Sequence, residues 1–165
     1  MPPAARALMD TTAHPLPPNL MPGPGSLNVI IGFGSAWRGM PLAAVAALQA
    51  AKQIADTAIK VADAAATAGA ATPAGPGLKA AAEAAKTAAL SAMSSAITGA
   101  SAGADIHACT TPLPIPPHGP GVDISGSATV SINFLPAGRM GDSILEAIGP
   151  PNKITKGEPT VLIGG

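Results

Sequence analysis

The residues best suited to chemistry in this chain are two histidines and its single cysteine. His107, Cys109 and His118 lie within twelve positions. Imidazole nitrogens and thiolate sulfurs are the usual donors to structural zinc. Several prolines lie between the cysteine and the second histidine, and proline cannot continue a helix or occupy a central strand. The spacing therefore predicts a stiff zinc-binding loop between Asp105 and Gly121.

A tetrahedral zinc site needs a fourth donor, and His14 is the only other histidine in the chain. It is distant in sequence, but it would reach the loop if internal repeats of the chain pack side by side. The predicted metal ligands are then His14, His107, Cys109 and His118. The alternative is a set of scattered histidines with ordinary hydrogen bonds, because this spacing matches no common zinc-finger pattern.

Catalysis has less support than metal binding. A Cys-His pair or a Ser-His-Asp triad could in principle supply a nucleophile, but zinc ligation would consume the side chains of His107 and Cys109. Four carboxylates of the second half show no spacing that defines an acid/base couple. They are Asp105, Asp123, Asp142 and Glu146. We therefore expect no enzymatic activity.

The elements that would position these ligands are repeated. A shift of 101 residues aligns Gly126–Arg139 with Gly25–Arg38 at seven identical positions, and Gly157–Gly165 repeats the pattern in shorter form. Each copy predicts a short strand and turn, because apolar residues alternate between glycines. Such small units cannot bury an apolar face alone, so they should pack around a common axis with pseudo-threefold symmetry. The competing explanation is chance similarity between glycine-rich turns.

A second repeat combines an arginine with a following aspartate. Pro3–Arg6 with Asp10 matches Pro136–Arg139 with Asp142. Charge-assisted hydrogen bonds within each pair would tie a turn together, and we expect this role in preference to phosphate binding.

An alanine-rich block separates the first two copies. Alanine fills 28 of the 62 positions from Ala43 to Ala104, which favours helix. Glycines and prolines in residues 67–77 interrupt it, so an antiparallel hairpin of two helices is predicted. In the first helix a polar stripe from Gln49 to Asp63 is expected to face water, with Ile54 and Val61 opposite. Helices of about 25 residues would extend about 37 Å, so the hairpin should protrude or lie along a partner.

Composition excludes several classes of function. Net charge is zero and only 11% of residues are charged, which argues against nucleic-acid binding. A single cysteine cannot form an internal disulfide. The amino terminus lacks the apolar core of a signal peptide. Residues 89–104 carry no charge but are too weakly apolar for stable membrane insertion.

The predicted fold is mainly β with an α insertion. Residues 1–41 and 104–165 would form a discontinuous β unit, and residues 42–103 the helical hairpin. The β unit resembles the PAAR-repeat proteins that tip contractile injection machines, chiefly bacterial type VI secretion systems. The motifs that carry this resemblance are Pro3–Arg6, the degenerate Pro136–Asp142, the turn Pro117–Gly121 and the terminal Gly157–Gly165.

The resemblance implies a small pseudo-threefold β cone with zinc near its apex, held by His14, His107, Cys109 and His118. One copy would cap a trimeric VgrG-type spike and lead penetration of a target envelope. Such a protein would be made in the bacterial cytoplasm without a signal peptide and exported at the spike tip on firing.

The helical hairpin departs from the family pattern. It implies a docking site for an effector or a chaperone, and since no toxin domain follows Gly165, any effector would bind from outside. The alternative is a helical-hairpin adaptor whose β unit is only a zinc-stabilised anchor and does not penetrate.

Overall fold

The computed structural model describes residues 1–14, 18–109 and 118–164. Helix α1 spans Leu42–Ala68 and helix α2 spans Gly75–Ala100. The strands are β1 (Pro3–Ala4), β2 (Ile30–Ile31), β3 (Gly34–Ser35), β4 (Ile106–Ala108), β5 (Pro120–Asp123), β6 (Ser131–Ile132), β7 (Leu135–Pro136), β8 (Ser143–Glu146), β9 (Asn152–Lys153) and β10 (Glu158–Leu162). The interior of the predicted metal-binding loop, 110–117, and Gly165 of the third copy lie outside the described residues.

All the strand pairs are antiparallel. Strands β4, β5, β8 and β9 form one four-stranded sheet, and the pairs β1-β10, β2-β3 and β6-β7 form small sheets of two strands. The pairs β2-β3 and β6-β7 are hairpins within the two aligned copies, and β10 of the third copy pairs with β1. The described chain is therefore a mixed α and β structure of two helices and several small antiparallel sheets.

Three short segments hydrogen-bond to one another in a closed cycle. They are residues 3–7, 35–39 and 136–140. The backbone N–H of Ala5 donates to the carbonyl of Gly138 (2.9 Å), Trp37 donates to Ala5 (2.8 Å), and Gly138 donates to Trp37 (2.8 Å). A second cycle of three bonds runs beside the first and joins the ends of the same segments. Each segment is thus fixed by the other two.

Gly138 holds the place that Ala5 and Trp37 hold in the other two segments. A Cβ at this position would lie 2.9 Å from Cδ1 of Trp37 and 3.1 Å from its carbonyl oxygen. Trp37 itself is fully buried. The indole therefore fills the space in which a third side chain would stand, and glycine is required there.

Each of the three segments is also fixed by an arginine–aspartate pair. In every pair the aspartate accepts hydrogen bonds from both the backbone N–H and the guanidinium of the arginine. The pairs are Arg6–Asp10, Arg38–Asp105 and Arg139–Asp142. The first and third were predicted from the repeated motif. The second was missed because the hairpin separates Arg38 from Asp105 by 67 positions.

Matching residues of the three copies form one buried cluster. It consists of Ala4, Ile31, Ala36, Ile132, Ala137 and Ile163. A second cluster lies between the hairpin and the four-stranded sheet, where Leu48, Met93 and Ile97 pack against Val122 and Leu145. A third cluster lies within the β unit and consists of Ala5, Ala7, Leu20, Trp37, Ile144 and Ile154. The apolar residues of the β unit are thus divided among these three clusters.

The alanine-rich block forms the predicted antiparallel hairpin. Residues 69–74, which include a glycine and a proline, separate the two helices. Near one end of the hairpin Leu48 packs with Met93. Closer to the connection, Asp63 of α1 forms an ion pair with Lys86 of α2 at 3.0 Å. Neither described helix combines the length and apolarity that a membrane span requires.

The prediction that the polar stripe of α1 faces water is confirmed only in part, because Gln49, Gln53 and Lys60 are exposed whereas Lys52 is buried. Lys52 is only 4% exposed, and its ammonium group pairs with Asp56. On the opposite side, Ile54 is 72% exposed and Val61 is 65% exposed. Lys52 lies on the side of α1 that borders a cavity also lined by Lys86 of α2 and residues 148–151, where the aliphatic stem of a lysine can pack while its charge is paired.

Candidate metal centre

Four side chains from distant parts of the chain converge in one place. They are His14, Cys109, His118 and Glu146, and their ligand atoms all lie within 4.8 Å of one another. These four residues could hold a metal ion. Three of them, His14, Cys109 and His118, were predicted as ligands from the sequence.

Strand register brings the four together. Cys109 follows β4, His118 lies just before β5, and Glu146 ends β8, so the antiparallel pairing of these three strands places them at one edge of the sheet. His14 joins them because the backbone N–H of Ala13 donates to the carbonyl of Lys153 in β9 at 2.9 Å.

Glu146 links the two histidines of the group. Its Oε1 lies 3.0 Å from Nε2 of His14, and its Oε2 lies 2.7 Å from Nδ1 of His118. On the other side of the first ring, Nδ1 of His14 faces Sγ of Cys109 at 4.0 Å. His14 therefore directs Nε2 toward Glu146, where it also lies 2.9 Å from Nδ2 of Asn152, and Nδ1 toward Cys109, while His118 directs Nδ1 toward Glu146.

The ring positions fit ligation of a shared ion. The ring centroids of His14 and His118 are 5.4 Å apart. Two imidazoles that bind one tetrahedral ion through nitrogens at about 2 Å would have centroids about 5 Å apart.

A fully buried carboxylate such as Glu146 requires a positive partner, because an unpaired charge is strongly unfavourable away from water. A metal ion or a protonated imidazole would meet this need. Glu146 can act as a direct ligand, or it can accept N–H bonds from histidines whose other nitrogens bind the metal. Sequence spacing did not reveal Glu146. The one signal for it was an acidic residue inside the apolar run Ile144–Ile148.

His107, the fourth predicted ligand, lies beside the group and not within it. Its ring centroid is 6.2 Å from that of His14, and its Nε2 is 3.4 Å from the hydroxyl of Thr12. Its Nδ1 is buried and makes no hydrogen bond of good geometry among the residues described, although the backbone of Asn19 and Met21 lies near the ring. Burial lowers the pKa of His107 below its usual value, which favours the neutral form that binds metals. An unpartnered nitrogen on a neutral imidazole is suited to ligation.

A second buried acid lies outside this group. The Oδ1 atom of Asp123 accepts a hydrogen bond from the backbone N–H of Ser125 at 2.9 Å, whereas Oδ2 has no partner in the described part of the chain. Burial, reinforced by the nearby carboxylate of Asp142, raises the pKa of Asp123 to about 8. At neutral pH this side chain is therefore mostly protonated.

No protein-family model, no curated protein and no solved structure matches this chain. Its function must therefore be inferred from the geometry of its own residues and from the motif resemblance described above.

Proposed function

We propose that this chain is a structural tip protein, whose β unit caps a trimeric VgrG-type spike of a contractile injection machine. The observation that carries the proposal is the closed cycle of hydrogen bonds among residues 3–7, 35–39 and 136–140. A single chain built from three matching segments can present similar contacts three times, as docking on a trimer requires. In this proposal the β unit is a pseudo-threefold cone of the PAAR type.

Two strained aromatic residues support a docking face. Phe33 and Phe134 are fully exposed and occupy matching positions in the two-residue turns of the β2-β3 and β6-β7 hairpins. Their φ angles are 67° and 66°. This left-handed conformation is unfavourable for a bulky side chain, and such strain persists mainly where function requires it. We infer that both rings contact the spike.

Co-purification with the cognate spike trimer tests the proposal. The full chain should bind the trimer, and the double substitution Phe33→Asp and Phe134→Asp should abolish binding. The control is Ile54→Asp, which places a single aspartate on an exposed apolar residue of the hairpin and should leave spike binding intact. Failure of the full chain to bind an intact trimer would refute the proposal.

We also infer that the metal is zinc. Imidazole and thiolate donors suit zinc better than hard ions such as magnesium or calcium. His14, Cys109 and His118 would hold the ion, His107 would supply a fourth donor through its unpartnered Nδ1, and Glu146 would orient two of the histidines. Four protein donors leave no open position for a substrate, so the zinc would stiffen the fold and would not catalyse a reaction.

Metal analysis of purified protein tests this assignment. The parent chain should contain one zinc ion. His107→Ala should lose most of it, whereas Glu146→Gln, which keeps a hydrogen-bond acceptor, should retain most of it. The opposite ranking would make Glu146 the fourth ligand, and a parent chain without stoichiometric zinc would contradict the inference.

A second candidate function is a helical-hairpin adaptor with a zinc-stabilised β anchor. The exposure of Ile54 and Val61 on α1 favours it, because an outward apolar face indicates a partner. The adaptor hypothesis predicts that Ile54→Asp abolishes binding of every partner, including the spike. The tip hypothesis predicts that this variant loses only partners of the hairpin.

A further inference from the structure

A cavity of about 760 Å³ lies between the helical hairpin and the β unit. One wall belongs to the β unit and carries no charged or polar side chain. It consists of Ile124, Leu145, Ile148, Gly149, Pro150 and Pro151. The facing wall belongs to α1 and α2 and is mainly polar or charged. Small-molecule sites commonly have volumes of about 300–1,000 Å³, an apolar lining and a few polar groups, and this cavity has all three features.

Lys52 places a buried charge at this cavity. Its side chain is only 6% exposed, and its ammonium group has three N–H donors. One donor is used by Oδ1 of Asp56, which also lines the cavity. In the described part of the chain the ammonium group makes no second hydrogen bond. Buried donors without acceptors are unfavourable, so a ligand that brings an oxygen atom into the cavity would be bound there by Lys52.

A group with a single negative charge suits this environment. Asp56 shares the ammonium group of Lys52 and would repel a doubly charged phosphate more strongly than a carboxylate. The other two lysines of the lining add little attraction. Lys86 already has two carboxylate partners, at 3.0 and 3.2 Å, and Lys60 is exposed to solvent. Lys52 is therefore the cation that a ligand would meet, and a carboxylate is the acceptor that matches it.

The apolar wall requires more than water or a small ion. Water molecules would satisfy the donors of Lys52, but they would leave Ile124, Ile148 and the two prolines in contact with solvent. The cavity has the volume of about 25 water molecules at about 30 Å³ each, so a carboxylate group alone would fill little of it. A hydrocarbon body of several carbon atoms would displace this water and cover the apolar wall.

We propose that this cavity binds a small amphipathic carboxylate, that is, a carboxylate attached to a hydrocarbon chain. The carboxylate accepts hydrogen bonds from Lys52, and the chain lies against Ile124, Ile148 and Pro150. The cavity lining includes none of the proposed metal ligands and neither of the fully exposed phenylalanines. This binding site is therefore independent of the proposed tip function and of the zinc assignment.

The probe for the proposal is octanoate, and its binding to the full-length parent is measured by isothermal titration calorimetry. One octanoate should bind per chain. Octan-1-ol has the same chain without the charge, and it should bind at least about tenfold more weakly, because it cannot form charge-assisted hydrogen bonds with Lys52. Acetate has the charge without the chain and should show no saturable binding, which also excludes simple ligation of a bound metal ion by the carboxylate.

Lys52→Met tests the role of the cation, because methionine keeps an unbranched side chain and removes the ammonium group. This variant should bind octanoate about tenfold or more weakly than the parent, and its affinity for octan-1-ol should be unchanged. The matched control is Lys79→Met, at an exposed lysine of α2 outside the cavity lining. It should bind octanoate as the parent does.

A second pair of variants places a negative charge on two different sides of α1. Ile59 lines the cavity, whereas Ile54 is exposed on a side of the helix that does not line it. Ile59→Asp should abolish octanoate binding, because its carboxylate would repel the ligand. Ile54→Asp should leave octanoate binding unchanged.

The proposal is overturned if the parent shows no saturable binding of octanoate, or if octan-1-ol binds the parent as tightly as octanoate does. Both measurements use the parent, so they do not depend on how well a variant folds. An effect of Lys52→Met no larger than that of Lys79→Met, or an effect of Ile59→Asp no larger than that of Ile54→Asp, would also overturn it.

Discussion

Replacement of Asp123 by asparagine should change how stability depends on pH. Asp123 ends β5 and is fully buried, with one oxygen bonded to the backbone of Ser125 and the other without a partner among the described residues. Burial raises the pKa of this carboxyl to about 8. Asp123→Asn keeps the shape of the side chain and removes its ionisation, so it isolates the contribution of this proton.

The direction in which stability changes with pH follows from the pKa of Asp123 in the folded and unfolded chain. In the unfolded chain the carboxyl has its ordinary pKa of 3.8, and in the folded chain its pKa is about 8. The folded state therefore binds the proton more tightly, and Asp123 lowers the free energy of unfolding progressively from about pH 4 to about pH 8. A difference of about four pKa units corresponds to about 5 kcal/mol over this range.

Urea unfolding of the parent and of Asp123→Asn, measured at intervals from pH 4 to pH 9, tests the prediction. The stability of the variant relative to the parent should increase by several kcal/mol from pH 4 to pH 8 and then level off. Metal binding affects both proteins and largely cancels in this difference. Asp63→Asn, at a half-exposed aspartate of the hairpin, is the control and should show little change. A difference between Asp123→Asn and the parent that stays constant with pH would refute the reasoning.

Three further perturbations should have measurable effects. Asp105→Asn should lower the free energy of unfolding in urea by about 3 kcal/mol, because it leaves the Arg38 guanidinium without its charged partner; a loss below about 1 kcal/mol would contradict this ion pair. Phe33→Gly should raise stability by about 1 kcal/mol, since glycine adopts the left-handed turn without strain, yet it should weaken spike binding; a lower melting temperature would argue against strain. Zinc removal with a chelator should lower the melting temperature of the parent but not of His118→Ala, and an equal fall in both would show that the chelator acts elsewhere.

Local patterns predicted the individual elements well. Alternation of apolar residues between glycines indicated the strands around Gly32 and Asn133, and both regions form hairpins. The glycines and prolines of residues 67–77 indicated the break between two helices. Each of these features depends on residues close in sequence, where backbone conformational preference dominates.

Features that depend on how distant segments of the chain pack together were not predictable in the same way. Periodicity divided α1 into a polar and an apolar side, but it could not show that Lys52 turns inward and Ile54 outward. Glu146 reaches the histidines through the pairing of three strands, and sequence spacing carries no trace of that register. The pairing of Arg38 with Asp105 was not predicted, because the helical insertion separates the two residues by 67 positions in the sequence.

Native mass spectrometry of the chain with its cognate spike tests the central claim most directly. We expect a complex of one copy of this chain, three copies of the spike protein and one zinc ion, and we expect the double substitution Phe33→Asp and Phe134→Asp to abolish it. Three copies of the chain per trimer, or no complex with an intact trimer, would contradict this claim.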